Sequence, residues 1–173
     1  MEPQRSNVVL LGVVAFWSGM AQEMVYPLVP ALVVVTLHGS RTMLGLVEGT
    51  LVVAVTVARL LSARWLDRGA SPRRLTRISY AVSLVSRPLL ALAGAVPVVL
   101  ALRTADGLGK GGKDAPRDTL VAAYATETRA GRSFGIQRLL DTLGSVAGPL
   151  AAGAVLLALG RGDRGLRVVF ALA

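Results

Sequence analysis

Residues 101–123, ALRTADGLGKGGKDAPRDTLVAA, decide the fold class of this chain, because charged side chains recur there inside an apolar surrounding. The charges recur every three or four residues, so they share one face of a helix. They are Arg103, Asp106, Lys110, Lys113, Asp114 and Arg117. Ionisable groups within membrane helices are costly and face a bundle interior or a water-filled pathway. This charged stripe is therefore the predicted functional site.

The composition is that of a membrane protein. Of the 173 residues 53% are hydrophobic, and the mean hydropathy of +0.60 is far above that of an ordinary soluble domain. Apolar stretches near or above the roughly 20 residues of a spanning helix cover residues 7–37, 43–66, 75–94, 97–123 and 134–159. A sixth begins at Leu166 and reaches Ala173, too short to cross. The predicted fold is an all-α transmembrane bundle of five spans plus the start of a sixth, in one domain over residues 1–173.

Two of these spans carry helix-weakening residues. Pro27 and Pro30 predict a kink in the first span. Four glycines and Pro116 weaken the far end of the fourth span, so the charged stripe is expected to straddle a helix end and a loop. An uncleaved first span is favoured over a signal peptide, because the apolar character resumes after Glu23.

The net charge of +9 does not indicate a nucleic-acid partner, because the basic residues lie at the ends of the apolar spans. With a cytoplasmic amino terminus, the inner ends and loops carry Arg5, Arg68, Arg73, Arg74, Arg77, Arg117, Arg129 and Arg132. The outer segments carry Arg41, Arg161, Arg164 and Arg167. The positive-inside rule therefore predicts that orientation in a cell membrane. The absence of cysteine excludes disulfides, cysteine-ligated zinc and a thiol nucleophile, and we expect no cofactor and no metal site.

The loop between the second and third spans reads Ala63-Arg64-Trp65-Leu66-Asp67-Arg68-Gly69 and is followed by Arg73 and Arg74. A short basic turn of this kind can simply anchor a helix end at the membrane. Its order resembles the loop signature of the major facilitator superfamily. The resemblance implies that Asp67, Arg68, Gly69, Arg73 and Arg74 form a gating latch.

The fifth span carries Gly144, Gly148, Pro149 and Gly153, which resemble a pattern of antiporter members of that superfamily. Small residues at such spacing let helices approach closely, and we assign Gly135 to the same packing role. Generic small-residue packing is the alternative interpretation.

The longest resemblance is to one bacterial subgroup of the superfamily. It rests on Arg103, Asp106, Gly109-Lys110-Gly111, Pro116-Arg117-Asp118 and Asp141-Thr142, and on QEMVYPLVP at residues 22–30. It implies the amino-terminal half of a major facilitator fold.

The predicted substrate or proton pathway comprises Glu23, Tyr26, Arg103, Asp106, Lys110, Gln137, Arg138 and Asp141. Within it, Glu23, Arg103, Asp106 and Asp141 are expected to line a central cavity, with Arg103 attracting an anionic group. Glu23 is the best candidate for the proton carrier, because its span offers no basic partner to keep it ionised. The alternative is an ion-pair network that only fixes helix packing.

These features predict a proton-coupled antiporter that exports a small solute, with the lipid bilayer, protons and a second half-transporter or a homodimer as partners. The alternative is a non-transporting membrane subunit, or a truncated half that needs a partner chain. Gly107, Gly112 and Lys113 also fit the spacing of a phosphate loop. Asp114 stands where Ser or Thr should bind magnesium, so an NTPase is disfavoured and no enzymatic activity is expected.

Overall fold

The computed structural model describes residues 2–125, 130–160 and 162–173, with side chains from Asn7 onward. Arg129 and Arg161, two residues of the topology prediction, lie outside these ranges, and so does the side chain of Arg5. The α-helices are α1 Glu2–Val25, α2 Arg41–Asp67, α3 Pro72–Leu89, α4 Val96–Tyr124, α5 Ala130–Leu159 and α6 Asp163–Leu172. Over the described ranges the chain forms no strand, which confirms the all-α bundle.

Three of the described segments are long and apolar enough to cross a membrane by composition alone, namely Asn7–Leu28, Arg41–Asp67 and Ala130–Leu159. Helix α4 is also long enough, at about 1.5 Å per residue, but it carries the charged stripe. Most of those charges are buried inside the bundle. Hydropathy therefore undercounts the helices of this bundle, because charges that face its interior are counted as if they faced lipid.

The first span is broken where its prolines predict. Helix α1 gives way to a 3-10 turn at Tyr26–Leu28, and a wide π-helical turn follows at Ala31–Thr36. Pro27 lacks a backbone N–H and therefore interrupts the α-helical hydrogen-bond ladder. The helix type therefore changes at Pro27 and Pro30, where the sequence predicts a kink.

Helix α4 is continuous, so the expectation that the charged stripe straddles a helix end and a loop is wrong. Its glycines are sites of close helix contact. A Cβ added at Gly107 would lie 2.8 Å from the carbonyl oxygen of Leu51 on α2, and one at Gly111 would collide with the backbone of Val55. Gly109 meets the backbone of α3 in the same way. Packing against two neighbouring helices thus overrides the low helix propensity of glycine.

The same continuity removes the phosphate-loop interpretation. Gly107, Gly112 and Lys113 all lie within the helix, whereas a phosphate loop needs an open turn between a strand and a helix.

The helices pack in two groups. Helix α1 lies along α5, whereas α2 and α3 both pack on α4. An apolar core joins the groups at one end of the bundle and contains Val25, Val29, Leu32, Val33, Val47, Leu90, Ala93, Val99, Leu166 and Phe170. Charged side chains therefore concentrate in the middle of the bundle and towards its other end.

Only part of the glycine pattern on α5 makes the close contacts expected of it. A Cβ at Gly144 would collide with the carbonyl oxygen of Phe16, and one at Gly148 would lie 2.5 Å from that of Met20. An added Cβ at Gly135 or Gly153 meets nothing within 4 Å among the described residues. Gly144 and Gly148 therefore form the α1–α5 contact, and the packing role expected of Gly135 and Gly153 is not seen.

Candidate functional site

One end of the charged stripe is a buried network whose ion pairs join three helices and which reaches a fourth through a hydrogen bond. Arg87 Nε on α3 lies 2.8 Å from Asp106 Oδ1 on α4. Arg103 Nη1 lies 3.6 Å from the other oxygen of Asp106, and Arg103 Nη2 lies 3.3 Å from Glu48 Oε1 on α2. Arg87 also donates to the carbonyl oxygen of Ser18 at 3.1 Å, which adds α1. Four helices are thereby tied together at one level.

The buried network encloses Arg103 and Asp106 instead of exposing them to a cavity. The side chains of Arg87, Arg103 and Asp106 are only 3%, 2% and 2% exposed. Each charge already has a partner of opposite sign, as burial requires. Arg103 and Asp106 therefore do not line a central cavity, because α2 and α3 cover this end of the stripe.

The other end of the stripe opens into a cavity of about 550 Å³, called here the charged cavity. Its walls come from α1, α2, α4 and α5. The lining residues are Gly19, Gln22, Arg59, Lys110, Lys113, Asp114, Ala115, Arg117, Asp118, Arg138, Asp141 and Ser145. Of the eight predicted pathway residues, Lys110, Arg138 and Asp141 meet here.

Every carboxylate of the charged cavity is paired with an arginine. Arg59 Nε on α2 donates to Asp114 Oδ2 at 3.1 Å. The remaining pairs are Arg117–Asp114 at 3.9 Å, Arg117–Asp118 at 3.6 Å, Arg117–Asp141 at 3.9 Å and Arg138–Asp141 at 4.0 Å. This chain of ion pairs runs from α2 through α4 to α5.

The two lysines of the charged cavity have no carboxylate partner. Lys113 is 4% exposed, and its Nζ donates to Ser18 Oγ at 2.6 Å and lies 4.9 Å from the centre of the Tyr80 ring. In the parts of the chain that the structure describes, no carboxylate oxygen lies within 4.0 Å of either lysine nitrogen. Lys110 and Lys113 are therefore the cations whose charge the cavity does not neutralise.

The other pathway residues lie apart from the charged cavity. Glu23 is half-buried on α1 and accepts a hydrogen bond from Gln22 Nε2 at 2.8 Å. Tyr26 is 53% exposed in the 3-10 turn. Gln137 is buried, and its Nε2 has no hydrogen-bond partner within the described ranges. Glu23 is not among the residues that line the charged cavity, but its chain neighbour Gln22 is.

The predicted latch residues surround the exposed turn between α2 and α3. Gly69 adopts a positive φ of 85°, which ends α2. Arg73 donates to the Tyr124 hydroxyl at 2.9 Å and so connects the turn to the end of α4. Asp67, Arg68 and Arg74 are exposed, and Asp67 makes no ion pair with any residue that the structure describes.

Arg87 belongs to the buried network but is absent from the residues that the sequence analysis selects. A signal for it existed on α3, where Ser79, Ser83, Ser86 and Arg87 recur at helical spacing. All four are buried. A stripe of small polar residues that leads to a single charge is typical of a helix face turned inwards.

A chain with these buried and cavity-lining charges can be assigned to a known protein family. The sequence matches the family model of the Major Facilitator Superfamily over residues 11–173. The chain belongs to the Major Facilitator Superfamily. This is a family of multi-pass membrane transporters, which agrees with the apolar helices and the enclosed charges.

Two relatives show how much of a superfamily member the chain represents. It is 30% identical over 142 residues to an uncharacterised MFS-type transporter of Methanocaldococcus jannaschii, which covers 82% of this chain and 35% of that protein. It is 33% identical over 121 residues to an uncharacterised protein of Mycobacterium tuberculosis, covering 70% of this chain and 30% of that protein. The chain thus spans about a third of the length of the curated relatives that it matches.

The superfamily fold is also seen by superposition. A bacterial homologue of the human lysosomal transporter Spinster, inward-facing and occupied, matches 99% of this chain and 42% of its own, with a TM-score of 0.83 and 21% identity. Its inward-facing unoccupied form gives a TM-score of 0.81 and 20% identity over 99% of this chain and 40% of its own. The predicted half of a major facilitator fold is confirmed.

Proposed function

We propose that residues 1–173 form the amino-terminal half of a proton-coupled secondary transporter that exports a small solute. The observation that carries the proposal is the charged cavity, walled by α1, α2, α4 and α5 within the bundle. Ionisable groups gathered around a cavity inside membrane helices are typical of a solute or ion pathway.

The proposed transport needs a second set of helices. Superfamily transporters alternate access by rocking two halves around a site at their interface. The chain spans about a third of the length of its curated relatives, so the missing wall of the site belongs to a second half or to a second copy of this chain. The partner would complete the charged cavity.

The proposed orientation has the amino terminus in the cytoplasm of a cell, with the membrane spanned several times. The excess of arginine on that side of the predicted topology supports it. Arg59 and residues 110–118 lie in the halves of α2 and α4 that approach the cytoplasm in this orientation. A cavity loaded from the cytoplasm supports export, and the exposed turn with Asp67, Arg68, Gly69, Arg73 and Arg74 is the proposed gate at that end.

Glu23 is the proposed carrier of the coupling proton. Its neighbour Gln22 donates a neutral hydrogen bond, and no lysine or arginine nitrogen of the described ranges lies within 4.0 Å of its carboxylate. The aspartates of the cavity are all held by arginines. Protonation of Glu23 therefore breaks no ion pair, whereas protonation of any of these aspartates would break one.

Proton coupling is tested in proteoliposomes that enclose the pH dye pyranine and contain the chain co-expressed with a polypeptide that carries the remaining helices of the M. jannaschii relative. The probes are glycerol 3-phosphate, succinate, glycerol and ethidium, each added against a proton gradient. We expect at least one probe to move protons in wild type, the response to vanish in Glu23→Gln, and the exposed Asp163→Asn to behave like wild type. Unchanged proton movement in Glu23→Gln would remove Glu23 from the coupling role.

The second candidate function is that of a non-transporting membrane subunit. The chain covers only 35% of the M. jannaschii relative, which is the reason to test it. The chain is co-expressed with a polypeptide that carries the remaining helices of the M. jannaschii relative, and its size is measured in detergent. A larger complex that moves protons with a probe supports the half-transporter. A larger complex without such movement supports the subunit.

A further inference from the structure

We infer that the charged cavity takes a small organic anion, carrying a carboxylate or a phosphate group, whose charge is held by Lys110 and Lys113. The inference rests on the proposed function, because it names the class of solute for the same cavity. It differs from the sequence-based hypothesis, which gave anion attraction to Arg103.

The charge of the cavity lining supports an anion. Five cationic side chains face three carboxylates there, so the described lining carries two more positive than negative charges. The three arginines and the three aspartates are matched in ion pairs of 2.5–4.0 Å. The excess therefore resides on the two lysines, which stand one turn apart on the same face of α4.

The burial of Lys113 also supports an anionic ligand. A buried ammonium group is costly unless a partner compensates its charge. Among the described residues, the contacts of the Lys113 ammonium group are the Ser18 hydroxyl and the face of Tyr80, two neutral groups that compensate a cation in part. Because the residue is 4% exposed and still lines the cavity, an anion there would supply the missing charge.

Neutral groups on the facing helices suit such a ligand as well. Gln22 on α1 and Ser145 on α5 line the same cavity as the lysines. The Gln22 amide donates one N–H to Glu23 and has a second that can donate to a carboxylate or phosphate oxygen, whereas the Ser145 hydroxyl already donates to the carbonyl oxygen of Asp141. A cationic solute would instead meet the unpaired lysines, since every aspartate is already engaged by an arginine.

Binding is tested by calorimetry on the purified chain in a non-ionic maltoside detergent. The probes are glycerol 3-phosphate and succinate, with glycerol and choline as the neutral and the cationic comparison. We expect one or both anions to bind, and their difference distinguishes a phosphate from a carboxylate ligand. Glycerol and choline should not bind at up to roughly 10 mM.

Three variants connect the binding to the cavity. Lys110→Gln should weaken anion binding about tenfold, because it removes a charge within a few ångström of the ligand. Asp118→Asn should tighten it several-fold, because it removes one negative charge from the cavity lining and one of the three carboxylates that pair with Arg117. Arg64→Gln, at an exposed position of α2 outside the cavity, should leave the affinity unchanged.

Several outcomes overturn the inference: no binding by either anion, binding of choline or glycerol as tight as that of the anions, or unchanged affinity in Lys110→Gln. Proton movement driven by ethidium without anion binding would keep the proposed transport and reject the anion. Anion binding without any proton movement would keep the inferred anion and reject the proposed proton-coupled transport. Lys110 makes no contact with a described carboxylate, so its substitution tests binding without breaking an ion pair.

Discussion

The substitution Asp106→Asn should destabilise the bundle more than any exposed charge substitution does. Asp106 is the shared anion of the buried network, with Arg87 at 2.8 Å and Arg103 at 3.6 Å. Its removal leaves Arg87 buried without a charged partner among the described residues, where Arg103 keeps Glu48.

The magnitude follows from the geometry. At an effective dielectric constant of about 20, two unit charges 2.8 Å apart attract by about 6 kcal/mol. Desolvation of the two ions offsets part of this attraction. Removing one partner of a buried pair typically costs 3–5 kcal/mol, because the other charge stays buried. We therefore expect Asp106→Asn to lower the free energy of unfolding by about 3–5 kcal/mol.

The assay is unfolding of the purified chain by sodium dodecyl sulfate in maltoside micelles, followed by the fluorescence of Trp17 and Trp65. The matched control is Asp163→Asn, whose exposed pair with Arg167 at 2.8 Å is worth less than about 1 kcal/mol. The double substitution Arg87→Met with Asp106→Leu should recover most of the loss, because an apolar pair of similar size can replace a buried ion pair. A loss in Asp106→Asn no larger than in Asp163→Asn would refute the reasoning.

Two glycine pairs give further predictions in the same unfolding assay. Gly144→Ala should cost about 1–3 kcal/mol, because its Cβ would push the backbone of Phe16 away, whereas Gly153→Ala should stabilise α5 by up to about 1 kcal/mol. Equal effects at the two sites would contradict the α1–α5 contact. Gly69→Ala should cost about 1–2 kcal/mol, because φ is 85° there, and Gly45→Ala inside α2 should stabilise by a few tenths to about 1 kcal/mol. A neutral Gly69→Ala would show that the positive φ is not required.

Local sequence patterns carry much of the fold. The lengths of the apolar stretches predict the long helices, and Pro27 predicts where the α-helix of the first span ends. Both predictions succeed because they depend on neighbouring residues in the sequence. The continuity of α4 cannot be predicted from the sequence of that segment alone. Gly111 weakens a helix in isolation, and only the nearby backbone of Val55, more than fifty residues earlier, shows why a side chain is absent there.

The candidate site was predicted in part for the same reason. The charged stripe is readable from spacing, because all its members lie on one helix. Which of them are enclosed depends on the neighbouring helices: Asp106 finds Arg87 on α3, whereas Asp114 finds the half-exposed Arg59 on α2. Sequence alone cannot separate an enclosed carboxylate from one that borders a cavity, because both sit on the same face of α4.

The pairing of α1 with α5 has a consequence for biosynthesis. Helix α1 ends at Val25 and α5 begins at Ala130, so about a hundred residues emerge from the ribosome between them. At 5–20 residues per second, this interval is roughly 5–20 s. During it, Phe16, Met20 and Glu23 lack the glycines of α5 that cover them in the folded bundle, so we expect the insertion machinery to retain α1 until its partner arrives. Site-specific crosslinking of stalled nascent chains should show α1 released only after α5 has been translated, and earlier release would contradict this order.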